Sequence, residues 1–390
     1  MKLIIARHWP VPVILLLSLT ALNWYRGDTL IAGGDNYTLL NPTVLYNDFI
    51  HTWSERINFG TPNLQTSVLF PLISFYVFLS KLNLSLPFIQ KLWSVSVLFV
   101  TGFSVYLLFS HCRKPNGREL ATGQKWGALG AAALYMLNVW VMIDVISPVT
   151  RLAAALLPLF VLFWIKGLEA ERVSLRYSLF IGLLSLFQSS TYAHPASIVA
   201  AVLANALLTL LFLLQKRRYL HTFKLLFLTG SVFAAFNLWW FLPYVLSFRD
   251  LYGAVEMAAK TYNFLDFTPI FDTFRFLGFW AFRDWYDLAN KIPHVPFAHY
   301  YYEAGFLILS YLLSLLALSA IYLRSRNRYV IYFTLLGLFG LFFSKGINPP
   351  FGAFYQLLFD RLPGFTAFRE PFARFTVLQV FSLSLLLGFA

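Results

Sequence analysis

Charged residues are scarce in this sequence, at 12% of 390 residues against about 25% in an average soluble domain. Hydrophobic residues make up 59%, and the mean hydropathy is +0.66. A water-soluble fold cannot bury so much apolar surface. The composition therefore excludes a soluble domain.

Several functional motifs are also missing. The sequence contains no glycine-rich phosphate loop, which argues against a nucleotide-driven pump. It has no HisGluXaaXaaHis, no EF-hand loop and no pair of cysteines that could bind a metal. The single cysteine, Cys112, excludes an intramolecular disulfide.

What the sequence does contain is a series of apolar stretches separated by short polar links. Stretches of about 17 to 25 apolar residues are typical of membrane-spanning helices. They predict an all-α polytopic membrane protein, one domain over residues 1–390, with about ten spans. The predicted spans are Trp9–Tyr25, Phe88–Ser110, Gly127–Ile143, Leu152–Ile165, Tyr177–Ser190, Ala196–Leu214, Leu225–Leu246, Ala304–Leu323, Tyr329–Ser344 and Phe375–Ala390.

The distribution of charge predicts the orientation of these spans. If the apolar segment Ser67–Leu82 lies on the membrane surface and does not cross, one set of loops holds 16 of the 30 basic residues and three of the 17 acids. The other face then holds 14 of each and is neutral. The positive-inside rule places the N-terminus and the basic loops in the cytoplasm of a plasma-membrane protein. The charge of +13 is thus explained without nucleic acid.

Three long loops, at about 26–87, 247–303 and 345–374, lie on the predicted extracytoplasmic face, and function is expected there. The first carries Asp28 and Asp35. The alternative to a functional role for these acids is a structural one, in which Asp28 pairs with Arg26 and Asp35 caps a helix that starts near Tyr37. The apolar spacing of the following residues, 44–53, predicts an amphipathic surface helix.

The third loop ends in PheArgGluProPheAlaArgPhe, where Arg369 and Arg374 flank Glu370. Guanidinium groups bind phosphate oxygens in a bidentate way, but snorkelling of these side chains to the membrane surface explains them equally well. His194, near an outer helix end, is expected to be a hydrogen-bonded boundary residue. Asp144 and Arg151 are expected to form an ion pair at a helix turn.

Several short blocks follow one another along the chain. They are AsnPheGlyThrProAsn (58–63), LeuPheProLeuIleSerPheTyr (69–76), ProPheIleGlnLysLeuTrp (87–93), GlyAlaLeuGlyAlaAlaAlaLeuTyrMetLeuAsn (127–138), SerProValThrArgLeuAlaAlaAlaLeuLeuProLeu (147–159) and LeuTrpTrpPheLeuProTyr (238–244). Their order resembles the N-terminal membrane region of the arabinofuranosyltransferase D family, within the GT-C superfamily of membrane glycosyltransferases.

The resemblance implies a GT-C-like bundle and transfer of a sugar, with arabinofuranose as one candidate, from a polyprenyl-phosphate donor to a cell-surface glycan or glycolipid. It implies an acid of the first outer loop near the acceptor, for which Asp35 is the first candidate and Asp28 the second. Arg369 and Arg374 are the candidates for binding the lipid phosphate. A divalent cation (Mg²⁺, Mn²⁺ or Ca²⁺) would be held by Asp28 and Asp35. Supporting roles are expected for Asn36, Asp48, His194 and Glu370.

Two other functions stay open at this point. A transporter or flippase of lipid-linked sugars would carry polar residues deep in its spans, whereas the acids of this sequence gather outside them. A non-catalytic scaffold built on the same fold is the second alternative. The sequence ends within an apolar run, which we interpret as the N-terminal part of a longer protein.

Overall fold

A computed structural model shows a helical protein, as the sequence predicts. The structure describes residues 9–31, 40–51, 53–54, 61–62, 69–113, 119–143, 148–190, 196–261, 263–279, 282, 286–287, 292–293 and 298–390. Over these residues, two pairs of two-residue strands are the only β structure.

The helices follow one another in chain order. They are α1 (Pro10–Ser18), α2 (Pro42–Phe49), α3 (Leu72–Lys81), α4 (Leu86–Arg113), α5 (Thr122–Leu137), α6 (Val139–Ile143), α7 (Pro148–Glu169), α8 (Leu175–Phe187), α9 (Ala196–Lys216), α10 (Tyr219–Leu246), α11 (Phe248–Thr261), α12 (Ile270–Phe274), α13 (Ala304–Leu323), α14 (Arg328–Ser344), α15 (Gly352–Arg361) and α16 (Pro371–Phe389). Short 3₁₀ helices occupy Leu19–Trp24, Ala298–Tyr302 and Phe365–Phe368. The strands are β1 (Trp53–Ser54), β2 (Thr61–Pro62), β3 (Tyr286–Asp287) and β4 (Ile292–Pro293), paired antiparallel as β1–β2 and β3–β4.

Six helices within the described part of the chain are long and apolar enough to cross a bilayer. They are Leu86–Arg113, Arg151–Glu169, Ile198–Lys216, Tyr219–Leu246, Ala304–Leu323 and Pro371–Phe389. The other four predicted spans coincide with shorter helices, Pro10–Trp24, Thr122–Leu137, Leu175–Phe187 and Arg328–Ser344. The all-α membrane fold is confirmed, and the number of ten spans stays a prediction.

The chain divides into two compact units. The first comprises Met1–Leu120 and Ile143–Leu251. Its centre is α7, which packs against α4, α8 and α9, while α8 packs closely on α10. At Gly182 in α8, an added Cβ would lie 2.5 Å from Val232 Cγ1 on α10. Small residues thus bring these two helices together, as is common in membrane bundles.

The second unit comprises Ala121–Met142 and Tyr252–Ala390. Its centre is α16, which packs against α5, α13 and α14 and buries most of its side chains. Arg275 connects α12, the 3₁₀ helix Ala298–Tyr302 and α13. This buried side chain donates from Nε to Ser310 Oγ at 2.7 Å and from Nη2 to the Tyr301 carbonyl, and its Nη1 lies 3.6 Å from Asp272 Oδ1.

The first outer loop differs from the prediction in two ways. Helix α2 begins at Pro42, where Asn41 Oδ1 accepts from the Val44 N–H as its N-cap, and it ends at Phe49. The predicted extension of this helix to Trp53 was wrong, because Trp53 pairs in β1 opposite Pro62. The cap observed for this helix is therefore Asn41 and not Asp35.

The segment predicted to lie on the membrane surface, Ser67–Leu82, contains α3. Ten helical residues are about 15 Å long, roughly half the hydrocarbon thickness, and the surface position of this segment stays a prediction. One side of α3 packs against α2 and α4. It buries Leu72, Ile73 and Tyr76.

Candidate active site

The first outer loop leaves the end of the first helical segment and is held against the first turns of α4. The Tyr25 hydroxyl lies 2.7 Å from Ser94 Oγ and donates to the Gln90 carbonyl at 3.1 Å. Two residues later, Lys91 Nζ donates to the Gly27 carbonyl at 2.6 Å. These contacts fix the backbone where it turns away from the helix.

Asp28 lies on the surface of this turn. Its carboxylate is almost fully exposed, and Oδ1 lies 3.4 Å from Lys91 Nζ. The partner in this ion pair is thus Lys91 and not Arg26, which was the expected one. A pair with one fully exposed member contributes little to stability, since water screens it.

Gln90 binds the loop a second time, at Ile31. Its Oε1 accepts from the Ile31 N–H and its Nε2 donates to the Ile31 carbonyl, both at 2.9 Å. The side-chain amide therefore pairs with the backbone of one residue in the way that a neighbouring strand would. Ile31 is the last described residue before residues 32–39, and Asp35 lies among these, four positions after Ile31.

The first unit also contains a buried cation. Arg151, near the start of α7, is 5% exposed, and its guanidinium carbon lies 4.6 Å from the centre of the Trp24 ring. Burial raises the pKa of Tyr76, and the charge of Arg151 acts against that rise. The Tyr76 hydroxyl therefore stays protonated. The predicted partner of Arg151, Asp144, lies outside the described residues.

The start of α3 is anchored to the end of α8. The Phe70 carbonyl accepts hydrogen bonds from the hydroxyls of Ser189 and Ser190. The Leu72 N–H donates to Ser190 Oγ at 3.3 Å. The first outer loop is consequently attached to the bundle both at its beginning, on α4, and near its end, on α8.

The candidate phosphate ligands lie in the second unit. Arg374 Nη2 is 3.3 Å from Glu370 Oε2, with both side chains largely buried, 16% and 23% exposed. Among the described residues no hydrogen-bond partner is placed for Arg374 Nε, which is itself buried. The carbonyl of Arg369 accepts from the Phe264 N–H at 2.9 Å. The backbone at Arg369 is thus fixed, and Arg374 keeps an unused donor.

A small cavity of about 10 Å³ lies beside Glu370. Thr268, Gly278 and Phe372 are among its lining residues. It has room for about one water molecule and cannot hold a sugar.

The structure brings some of the predicted site residues into defined settings and leaves others out. Asp28 lies on the turn held by α4, and Asp48 lies in the last turn of α2. Arg369, Glu370 and Arg374 lie at the start of α16. The remaining predicted residues, Asp35, Asn36 and His194, are outside the described part of the chain.

Sequence reasoning missed Gln90 as a member of this site. The signal was present, since Gln90 belongs to the block ProPheIleGlnLysLeuTrp that contributes to the family resemblance. What the sequence could not indicate is that its side chain would reach 59 residues back along the chain to Ile31.

Comparison with known proteins identifies the class, a GT-C membrane glycosyltransferase domain. The family model described as "Alpha-(1->3)-arabinofuranosyltransferase, N-terminal GT-C domain" matches residues 33–268. That is more than half of the chain, and the chain belongs to this family. The resemblance predicted from the sequence is confirmed. No curated protein matches the chain.

A solved structure supports the fold. The cryo-EM structure of arabinofuranosyltransferase AftD from mycobacteria matches with a TM-score of 0.55 at 15% sequence identity. The match covers 98% of this chain and 24% of the solved one. At this identity the likeness shows a common fold, and the chain spans about a quarter of the length of that protein.

At Asp28 a divalent cation would have to compete with the Lys91 ammonium, which lies 3.4 Å from the exposed carboxylate in a pair that water screens. Over the described residues, no group of three or more His, Cys, Asp or Glu side chains is placed to hold a metal ion. Asp35 is outside these residues. Binding of a divalent cation by Asp28 and Asp35 therefore stays a prediction.

Proposed function

We propose that this protein transfers a sugar, with arabinofuranose as the first candidate, from a polyprenyl-phosphate donor to a cell-surface glycan or glycolipid. The observation that carries the proposal is the family match over residues 33–268, which includes Asp35. The proposed location is the extracytoplasmic face of the plasma membrane, with a cytoplasmic N-terminus, as the charge distribution predicts.

In the proposed reaction an acceptor hydroxyl attacks the anomeric carbon of the donor. The new bond joins the acceptor oxygen to that carbon, the bond from the carbon to the phosphate oxygen breaks, and the bonding electrons leave with the lipid phosphate. The hydroxyl proton passes to the carboxylate of Asp35 as general base. Asp28 is the second candidate, and its exposure and its pairing with Lys91 make it the weaker one.

The departing phosphate gains negative charge and needs a cation. We assign this role to Arg369 and Arg374, because guanidinium groups bind phosphate oxygens in a bidentate way. The Arg374 side chain is 16% exposed, and its terminal nitrogens, not the buried Nε, would meet the phosphate. In this scheme Glu370 orients Arg374, while Asn36, Asp48 and His194 support binding of the donor or the acceptor.

The test is transfer from a polyprenyl-phosphate sugar by the purified full-length protein, for the wild type and for Asp35→Asn. Asparagine keeps the shape of the side chain but cannot accept the proton, so we expect turnover to fall by about 100-fold or more. Asp28→Asn is the matched control, and it should retain most of the activity.

Near-normal turnover in Asp35→Asn would exclude this residue as the base and move the assignment to Asp28 or Asp48. A comparable loss in both variants would point to a function shared by the two carboxylates, contrary to the assignment of a single base.

A further inference from the structure

We propose that Gln90 is a positioning residue for sugar transfer, which acts by fixing the direction in which the first outer loop leaves α4. This inference rests on the proposed role of Asp35. Gln90 itself is not expected to touch the substrate.

The contacts between the loop and α4 follow one another along both elements. Tyr25 reaches Ser94 and the Gln90 carbonyl, Gly27 accepts from Lys91, and Ile31 pairs with the Gln90 side chain. The segment from Tyr25 to Ile31 is thus attached to a single stretch of helix, little more than one turn long.

The two bonds at Ile31 do more than hold the chain. A single hydrogen bond leaves a peptide free to rotate about it, whereas a reciprocal pair on the N–H and the C=O of one residue sets the orientation of its backbone. Gln90 therefore fixes both the position and the direction of the chain at Ile31.

The distance to Asp35 makes this orientation relevant to catalysis. Asp35 is four residues beyond Ile31, and four residues extend by at most about 14 Å, so the covalent chain keeps Asp35 within about 14 Å of Ile31 and about 17 Å of the Gln90 amide. The direction that Gln90 sets at Ile31 therefore limits where Asp35 can lie. A displacement of about 1 Å at a reacting group can cost about 100-fold in rate.

Gln90→Met tests the inference, because methionine has a similar length and size but makes neither hydrogen bond. We expect kcat to fall by about 10- to 100-fold, with the donor KM changed by less than about threefold, since orientation is lost and binding is not. Gln90→Glu keeps the acceptor for the Ile31 N–H and should retain an intermediate kcat.

The matched control is Ser178→Ala. It removes a buried hydrogen bond of 2.9 Å between Ser178 and Thr229, on α8 and α10 of the same unit. This variant should lose thermal stability to a similar extent as Gln90→Met and keep its kcat. Hydrogen exchange of the peptide that contains Ile31 should quicken in Gln90→Met alone.

A double variant separates positioning from a general structural role. If Gln90 acts through Asp35, Gln90→Met should lower turnover by no more than about twofold in the Asp35→Asn background, because effects within one unit are not additive. A full further loss there would overturn the inference, as would wild-type kcat in Gln90→Met. The third outcome is normal turnover in Asp35→Asn together with a loss of turnover in Gln90→Met. This result would exclude Asp35 as the general base and would support the role of Gln90 in positioning the loop.

Discussion

Arg374 offers a direct test of the proposed phosphate site. Its Nη2 pairs with Glu370 at 3.3 Å across one turn of α16, and its Nε is buried with no partner among the described residues. If the donor phosphate binds the terminal nitrogens of this guanidinium, replacement of Arg374 by glutamine should remove a charge-assisted hydrogen bond. Such bonds contribute about 1.5–3 kcal/mol, which corresponds to an increase of about 10- to 100-fold in the donor KM.

The effect on stability should be much smaller. The ion pair between Arg374 and Glu370 is largely buried, but the glutamine amide can still donate a hydrogen bond to the Glu370 carboxylate, so little of the pair's contribution should be lost. We expect only a slight decrease in the melting temperature of Arg374→Gln in detergent. Arg374→Lys keeps the charge but loses the planar fork, so its donor KM should lie between those of the wild type and Arg374→Gln.

The assay is initial-rate transfer at varied polyprenyl-phosphate sugar, together with thermal unfolding of the same preparations. Glu370→Gln is the companion variant, because it weakens the contact that orients Arg374 and leaves the guanidinium in place. Its donor KM should rise, but by less than in Arg374→Gln. If Arg374→Gln leaves the donor KM unchanged and lowers the melting temperature by many degrees, the residue is structural and the phosphate assignment is refuted.

Three further predictions concern topology, packing and pH. Cys112 is buried, so its thiol is a poor probe of the side of the membrane on which it lies. In a Cys112→Ala background, Arg172→Cys should resist labelling by a membrane-impermeant thiol reagent in intact cells, because residue 172 is predicted to be cytoplasmic. Labelling of this cysteine would reverse the predicted orientation. Gly182→Ala should melt at a lower temperature than Gly230→Ala, whose Cβ meets nothing within 4 Å, and equal melting would contradict the close packing of α8 on α10. Burial lowers the pKa of Lys345 in the folded protein below the value of 10.5 in the unfolded chain. Between these two pKa values the unfolded state binds more protons than the folded one, so the free energy of unfolding should rise with pH. The difference in melting temperature between the wild type and Lys345→Met should therefore change in favour of the wild type from pH 7 to pH 10, and a difference independent of pH would refute this.

The sequence was most informative where a local pattern has a strong physical cause. Apolar runs form helices close to the predicted bounds, for example Ala304–Leu323. In a bilayer, a long uncharged segment must satisfy its backbone hydrogen bonds internally, and a helix does so. The prediction failed at Trp53. Its apolar spacing fits a helix, but a pairing with Pro62, nine residues further on, ends the helix at Phe49.

By itself, the sequence determined the all-α membrane class and the family, since composition and short motifs are properties of the chain alone. Only the tertiary structure decided which partners these residues have. Asp28 meets Lys91 and not the nearby Arg26, and Gln90 reaches Ile31, because helix packing brings together residues about 60 positions apart. Hydrogen bonds of a few ångströms depend on that packing, and no local pattern in the sequence specifies it.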